Sequence, residues 1–535
     1  MMLNKIFSLT YRLDRPEGFQ GAGDKYLSKI IQEISRLIRN KQKLFEHNTF
    51  RLSASQIHNV AQMLVEFGED LHNRIGIWET MEAYNLQFFE TKLPLILEPG
   101  SDMPTEGINP LRIQYLLYVY YKLLKPELIC SPHHRDLVFF AGELSRFLRD
   151  NFQTIPKDSS IKALLTSSNE YGWDVKKKLI WLGTHSYLFR QCFKNYITDQ
   201  GGGKEVANID DFLNQETTIW SGLGAIDILS EILDISAKEK SCIRSWYERH
   251  TAFYKVSGIP GSVTEFLNLI NDQKYSVRIG DSFKSFDKDH IYFGSLVPYK
   301  GEWYWSGAQQ RFDNVSVGDL KKLKADFLLS TRTIAYRYCK ELADKARRSN
   351  KDQYEQFRKF AGDDLLAFPD GKSMAEAMQK LLQESFEIRM KAIKSVPAER
   401  KKIKVPDFSK SLPKEILKSK NGCCVYYNPD EGMEIWIEFD SLLSGLKKKG
   451  KDLSQDELHA VNSLIFENSI SPNFIRKLVR KYGDESIRAA FFLRDSIGGH
   501  YFLDYLLRQN KGYYFRNRYP SITFVDMDKT NKVRL

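Results

Sequence analysis

Apolar positions in the first half of the chain recur every three to four residues, the spacing that places side chains on one face of a helix. Residues 27–38 show this pattern clearly, and Asp24 stands before them as an expected helix cap. Ser53 followed by Gln56 predicts a capping box at the start of the next helix. Further segments repeat the pattern, so we predict an all-helical N-terminal region over residues 1–256.

The spacing changes to alternation in the stretch from Tyr275 to Phe312, where apolar residues occupy every second position, as in strands. Pro298 and the adjacent Lys300 and Gly301 separate these runs as turns would. We predict a small β-barrel-like module over residues 257–316. A short helix is expected at 263–270, ahead of its first strand.

Helical spacing returns after the module and predicts a helical connector over residues 317–400, interrupted by a brief strand within 361–372. Residues 394–415 are rich in Lys and Pro and are expected to form a linker.

The last part of the chain mixes both patterns, which predicts an α+β domain over residues 401–535. A hairpin is expected first, with strands at 423–427 and 433–439. Helices follow, and a final pair of strands is predicted at 513–515 and 522–525. The fold class is therefore mainly α and multidomain, of the α+β type.

Composition agrees with several folded domains. The chain has 535 residues, of which 42% are hydrophobic, enough to form more than one core. Six scattered cysteines indicate reduced thiols rather than a disulfide framework. The first residues lack the apolar run of a signal peptide, and no segment is long and apolar enough to span a bilayer. We expect a soluble, cytoplasmic protein with no membrane partner.

Charge is the first feature that bears on function. The formal net charge is +11, and residues 401–535 hold 24 Lys and Arg against 17 Asp and Glu, an excess of seven. Such a balance favours a polyanionic partner, DNA or RNA, although many basic proteins bind neither.

The basic residues of the C-terminal domain form two groups, one in a predicted loop and one in the helix predicted at 471–482. They are Lys447, Lys448, Lys449, Lys451, Arg476, Lys477, Arg480 and Lys481. Two short helices here fit a helix-turn-helix that presents a basic recognition helix. A solvated basic face is the alternative. Arg508, Lys511, Arg516 and Arg518 would extend the group if the fold brings them together.

Aromatic residues crowd the predicted β-module and give a second candidate surface. Small barrels that bind single strands stack bases on exposed aromatics beside basic side chains. Tyr304, Trp305 and Arg311 are our candidates for that role. Adjacent residues of a strand point to opposite faces, so part of this aromatic set must instead lie in a core.

An enzyme alternative depends on Arg244 and His250, an R-x5-H element near the end of a predicted helix. Metal-independent ribonucleases of the HEPN class use an Arg and a His at this spacing. A second alternative is a protein–protein adaptor built on the helical N-terminal half. No metal site, cofactor site or other catalytic signature is predicted.

Four blocks resemble uncharacterised bacterial proteins that are grouped only as domains of unknown function. They are W-S-G-L-G-A-I-D…R-S-W-Y-E-R-H (Trp220–His250), Y-F-G-S-L-V-P-Y-K-G-E-W-Y-W-S-G (Tyr292–Gly307), G-D-D-L-L-A-F-P-D-G-K (Gly362–Lys372) and V-Y-Y-N-P-D-E-G-M-E (Val425–Glu434). The resemblance covers roughly residues 215–535. It implies the order of the domains and brings no activity or site residue. From the residues themselves we expect a non-enzymatic accessory protein of the bacterial cytoplasm that binds nucleic acid or joins a complex.

Overall fold

The computed structural model describes most of the chain. The described residues are 13–16, 21, 23–101, 106–154, 157, 160–203, 205–280, 286–288, 290–313, 315–316, 318–322, 340–392, 405–493 and 497–520.

Eleven helices precede the first strand within these residues, as the spacing of apolar positions predicted. They are α1 (Asp24–Lys41), α2 (Ala54–Asn73), α3 (Ile77–Phe89), α4 (Pro110–Leu124), α5 (Arg135–Phe152), α6 (Ser160–Thr166), α7 (Gly172–His185), α8 (Arg190–Asp199), α9 (Val206–Gln215), α10 (Ala225–Ile232) and α11 (Ala237–Arg244).

Two expected helix starts have different outcomes. The capping box is confirmed, because the Ser53 side chain accepts the N–H of Gln56 and the Gln56 side chain accepts the N–H of Ser53. Asp24 does not cap α1, whose first turn has no side-chain cap. Its carboxylate instead accepts the N–H of Gly21 and the guanidinium of Arg15. The Asp24 carboxylate therefore pairs with Arg15 and does not cap the helix.

Five strands form the β-module: β1 (His250–Gly258), β2 (Val263–Asn268), β3 (Lys274–Arg278), β4 (Ile291–Tyr299) and β5 (Glu302–Phe312). They pair in the order β1-β2-β3-β5-β4, and β4 returns to β1. All pairs are antiparallel except β3 with β5, which meet at one parallel bridge between Val277 and Trp303. The predicted β-module is present as a five-stranded ring.

Two details of the module differ from the prediction. The helix expected at 263–270 is wrong, because β2 lies there and pairs with both β1 and β3. Thr264, Phe266 and Asn268 of β2 are buried, so alternate residues line the interior. The sheet also begins at His250 rather than after residue 256, because β1 pairs with β4.

A buried polar cluster joins the barrel to the helical region. The hydroxyl of Ser306 on β5 donates to Asp210 of α9 over 2.6 Å, and Lys176 of α7 donates to that hydroxyl over 2.8 Å. Lys176 and Arg249 both form ion pairs with Asp210. Charged groups this deep need such mutual pairing, which fixes how the barrel lies against the helices.

The remaining described elements include a second, smaller sheet. They are α12 (Lys340–Ala361), β6 (Leu365–Phe368), α13 (Gly371–Ala392), α14 (Lys414–Lys418), β7 (Cys423–Asn428), β8 (Gly432–Ile437), α15 (Phe439–Lys447), α16 (Gln455–Phe466), α17 (Pro472–Tyr482), α18 (Glu485–Ala490) and α19 (Phe502–Lys511). β7 pairs antiparallel with both β6 and β8, which confirms the predicted hairpin and brief strand.

The predicted final pair of strands is not formed where the structure describes it. Residues Gly512–Phe515 make a 3₁₀ turn instead of a strand. The other member, 522–525, lies outside the described residues. Tyr513 and Tyr514 donate to the carbonyl of Asn468, so this turn is held against the loop after α16.

The C-terminal helices share one apolar core with the N-terminal helices. Phe502, Tyr505 and Leu507 of α19 are completely buried in the cluster that contains Trp78 of α3 and Tyr115 of α4. The fold is thus helix-rich and α+β with two small sheets, as predicted, while the limits of the individual domains stay a prediction. Within the described residues no helix combines the length and apolarity needed to cross a membrane.

Candidate nucleic-acid interface

Arg508 of α19 lies between two aromatic rings. Its guanidinium carbon is 3.9 Å from the centre of the Phe88 ring and 4.4 Å from that of Phe515. Its Nη1 donates to the hydroxyl of Tyr84 over 3.2 Å. A guanidinium held between rings keeps its charge, and it loses little mobility on binding an anion.

Arg476 of α17 extends this arrangement. Its guanidinium carbon is 5.7 Å from the centre of the same Phe515 ring, and it pairs with Asp504 over 2.8 Å. Tyr84 and Phe88 on α3 complete the surface, with ring centres 4.6 Å apart. We call this surface the arginine–aromatic patch; its members are Tyr84, Phe88, Arg476, Arg508 and Phe515.

The apolar face of α19 places Arg508 in the patch. Tyr505, one turn before Arg508, is fully buried, and its hydroxyl lies 3.3 Å from that of Tyr115. Gln509 donates to the carbonyl of Ile219 over 3.0 Å. These contacts fix the rotation of α19, so Arg508 must point toward α3.

The one carboxylate of α19, Asp504, pairs with Arg476 rather than with Arg508. Among the residues that the structure describes, no carboxylate forms an ion pair with this side chain. Burial raises the pKa of Tyr84, although Arg508 beside it favours the phenolate. The phenol is therefore neutral at physiological pH, and Arg508 carries a net positive charge at the patch.

The other arginines near the C-terminal end hold the chain in place. Arg516 donates to the carbonyls of Gln215 and Glu216 over 2.6 and 2.9 Å and lies over the Tyr247 ring. Arg518 pairs with Glu431 over 2.5 Å.

Lys511 is completely buried and donates to the carbonyl of Glu467. Burial lowers its pKa to about 8. Of the four residues considered as an extension of the basic group, only Arg508 joins the candidate surface.

Other basic residues of α17 are placed differently from Arg476. Lys477 is held by both Asp363 and Asp364, in the loop before β6, with a distance of 2.9 Å to Asp363. The hydrogen bond from Lys477 lowers the pKa of Asp363 to about 2. Arg480 and Lys481 are exposed at the end of the helix. The predicted basic helix exists, and its charge is partly neutralised.

The four lysines at the end of α15 and in the loop after it also include both paired and exposed side chains. Lys448 donates to Glu457 over 2.7 Å, which lowers the pKa of that carboxyl to about 2, and Lys449 lies 3.8 Å from Glu485. Lys447 and Lys451 are exposed, and neither forms an ion pair within the described part of the chain. Two of the four predicted phosphate contacts thus have acidic partners already.

The predicted stacking role of Tyr304 is wrong. Its side chain points out of the barrel into the helical region and is only 3% exposed. The ring packs edge-on against Trp173, with centres 5.4 Å apart, and its hydroxyl donates to Glu302. A base cannot reach it while the barrel lies against α7.

Trp305 points to the opposite side, into the barrel. Its ring centre lies 5.3 Å from that of Phe266 and 5.8 Å from that of Phe286, which is stacked on it. These neighbours give Trp305 a packing role, as the core interpretation of the aromatic residues predicted. Arg311 is exposed at the end of β5 and pairs with Asp313 over 3.0 Å.

Arg244 and His250 have separate partners. Arg244, the last residue of α11, forms an ion pair with Glu231 of α10. His250 begins β1, where its Nδ1 lies 2.8 Å from the Tyr275 hydroxyl and its ring is 4.5 Å from that of Trp303. Burial lowers the pKa of His250 to about 3. No feature of this placement favours the ribonuclease alternative.

A small cavity lies between α2 and α7. Its wall includes the ion pair of Arg15 and Glu69, which are 2.6 Å apart, and Tyr187, whose hydroxyl donates to Asp70 over 2.8 Å. The cavity volume is about 20 Å³, room for a water molecule rather than a substrate. Among the described residues no group of three or more His, Cys, Asp or Glu side chains could hold a metal ion.

Comparisons with protein-family models, curated proteins and solved structures found no match. The resemblance to uncharacterised bacterial proteins therefore stays a prediction.

Sequence reasoning missed the aromatic half of the patch. Tyr84 and Phe88 lie in a helix whose pattern indicates packing, and nothing local relates them to an arginine more than 400 residues later. Phe515 lies in a segment for which the sequence predicts a strand, 513–515. A signal for these residues would have required knowing which helices meet.

Proposed function

We propose that this protein is a non-enzymatic accessory protein that binds nucleic acid through the arginine–aromatic patch. The observation that carries the proposal is Arg508, a cation held between Phe88 and Phe515 without a carboxylate partner in the described structure. Arginine on an aromatic support is suited to contact phosphate and base together.

Charge supports the same proposal. The chain carries a formal charge of +11, and seven of those charges belong to residues 401–535. Arg480 and Lys481 lie exposed on the helix that carries Arg476 and supply long-range attraction beside the patch. Phosphate contacts release counterions, so binding should weaken steeply as salt increases.

The test is binding of fluorescently labelled DNA and RNA oligonucleotides to the full chain over a series of salt concentrations. The Arg508→Gln and Arg476→Gln substitutions together should weaken binding by roughly tenfold or more. They should flatten the salt dependence by about one phosphate contact, because Arg476 already pairs with Asp504. Arg36→Gln with Arg39→Gln is the matched control, because both arginines are exposed on α1, outside the patch.

Two results would overturn the proposal. One is absence of binding to any oligonucleotide at low salt. The other is equal weakening by the α1 control pair and the patch pair, which would mean that net charge alone attracts the ligand.

A further inference from the structure

We infer that the ligand of the arginine–aromatic patch is a single strand of nucleic acid, with Phe88 stacking against an unpaired base. This inference rests on the proposed function and narrows its ligand. Two independent features of the structure support it: the exposure of Phe88 and the burial of the helix starts around the patch.

Phe88 supplies apolar surface at the patch. Its side chain is 38% exposed although Arg508 covers part of the ring. Tyr84 tilts against it and limits its movement. A partly exposed ring that its neighbours hold in place offers a stacking platform, worth about 1–3 kcal/mol per base in single-strand binders.

The helices that carry patch residues, α3, α17 and α19, are not oriented to enter the groove of a duplex. Recognition helices present their N-terminal residues to base edges in the major groove. In α17, Pro472 and Phe474 are buried, and the N–H of Ser471 before them donates to Glu434 over 2.9 Å. Most of the first turn of α17 is therefore buried, with Asn473 half-buried.

The other two helices of the patch begin in the same way. In α3 the first residues, Ile77 and Trp78, are buried, and their N–H groups donate to Asp70. In α19 the first residue, Phe502, is completely buried. The first residue of each of these three helices is buried, and the exposed residues of their first turns include the acidic Glu79 and Asp504. This placement argues against the predicted helix-turn-helix and for an unpaired ligand.

The arrangement suits a strand whose bases are turned toward the protein. Bases can stack at Phe88, while the cations of Arg508 and Arg476, both near the Phe515 ring, are placed to meet phosphates. A duplex would present its phosphates but keep its bases paired inside, so Phe88 would contribute nothing to it.

The experiment measures the fluorescence anisotropy of labelled oligonucleotides as the full chain binds them. The oligonucleotides have about 12 nucleotides, a usual length for single-strand sites. Single-stranded DNA, single-stranded RNA and the matching duplexes form the arms. We expect at least one single strand to bind about tenfold tighter than its duplex. Phe88→Ala should weaken that binding by about 5- to 100-fold, corresponding to the loss of one stacked base, and leave duplex binding unchanged.

Two further variants separate stacking from misfolding. Phe88→Trp keeps an aromatic face and should retain binding, while Phe88→Leu keeps apolar bulk without that face and should lose it. Phe139→Ala on α5 is the matched control, because Phe139 has the same 38% exposure outside the patch. It should bind as the unchanged chain does.

The outcomes distinguish this inference from the proposed function. Equal or tighter duplex binding that Arg508→Gln still weakens would overturn the single-strand inference and leave the proposed function standing. The same holds if Phe88→Leu binds single strands as well as Phe88→Trp does. Loss of all binding, or binding insensitive to Arg508, would remove the proposed function and this inference together.

Discussion

The guanidinium carbon of Arg508 lies 3.9 Å from the centre of the Phe88 ring, which joins the last described helix of the chain to the third. The N-terminal and C-terminal helices share one apolar core, and this contact lies at its edge. It leaves a cation at the protein surface there. Stability and the proposed binding surface therefore depend on the same pair.

Arg508→Ala should destabilise the fold. The substitution removes a cation from between two rings, each contact being worth about 0.5–2 kcal/mol, and leaves the Tyr84 hydroxyl without its donor. We expect a loss of about 1–3 kcal/mol in the free energy of unfolding, measured with urea. Arg480→Ala, at an exposed position, should change it by less than about 0.5 kcal/mol. Equal effects would show that the stacking contributes nothing.

Substituting Asp363 and Asp364 together by Asn should strengthen the proposed nucleic-acid binding. Both carboxylates pair with Lys477, so their removal frees one cation on the helix that carries Arg476. We expect affinity to rise by about 2- to 10-fold, with a salt dependence steeper by about one phosphate contact. Asp150→Asn with Asp352→Asn is the control for net charge, because it removes two exposed carboxylates, one on α5 and one on α12. An increase no larger than that of the control would argue against this contact.

His250 should make the protein less stable in acid. Burial lowers its pKa from 6.5 to about 3, so the unfolded chain binds more protons between those values. Its contribution to stability is present above pH 6.5 and is lost as the pH falls toward 3. The His250→Gln variant should show a flatter dependence of unfolding free energy on pH over this range, by an amount on the order of a few kcal/mol. Identical pH profiles would contradict the shift.

Gly172→Ala should loosen the contact between α7 and the barrel. A Cβ at this position would lie 2.6 Å from the ring of Tyr304, closer than real contacts allow. We expect a loss of about 1–3 kcal/mol, the usual cost of overpacking, measured by thermal unfolding. Gly142→Ala is the control, because a Cβ there meets nothing within 4 Å and the position lies inside α5. It should be neutral or raise stability by up to about 1 kcal/mol. Equal melting temperatures for the two variants would contradict the clash.

Local patterns predicted most of the elements. The capping box at Ser53 and the hairpin of β7 and β8 depend on residues close in sequence, so they could be read directly. The mistaken helix at 263–270 shows the limit of such patterns. Its short apolar run fits helix or strand, and pairing with β1 and β3 decided for the strand.

The candidate surface also has features that the sequence determined and features that only the tertiary structure decided. The sequence by itself determined that the chain is basic, helix-rich and α+β, and that α17 carries a cluster of cations, because charge and periodicity are local properties. It also predicted that part of the barrel's aromatic set must lie in a core, since adjacent side chains of a strand point to opposite faces. Tertiary structure alone decided which of these cations stay available to bind a nucleic-acid phosphate. Packing buries Tyr304 against the helical region, Glu457 of α16 pairs with Lys448, the loop residues Asp363 and Asp364 pair with Lys477, and the shared core brings Arg508 onto Phe88. Only the tertiary structure decides these contacts, because they join residues that are not neighbours in the chain.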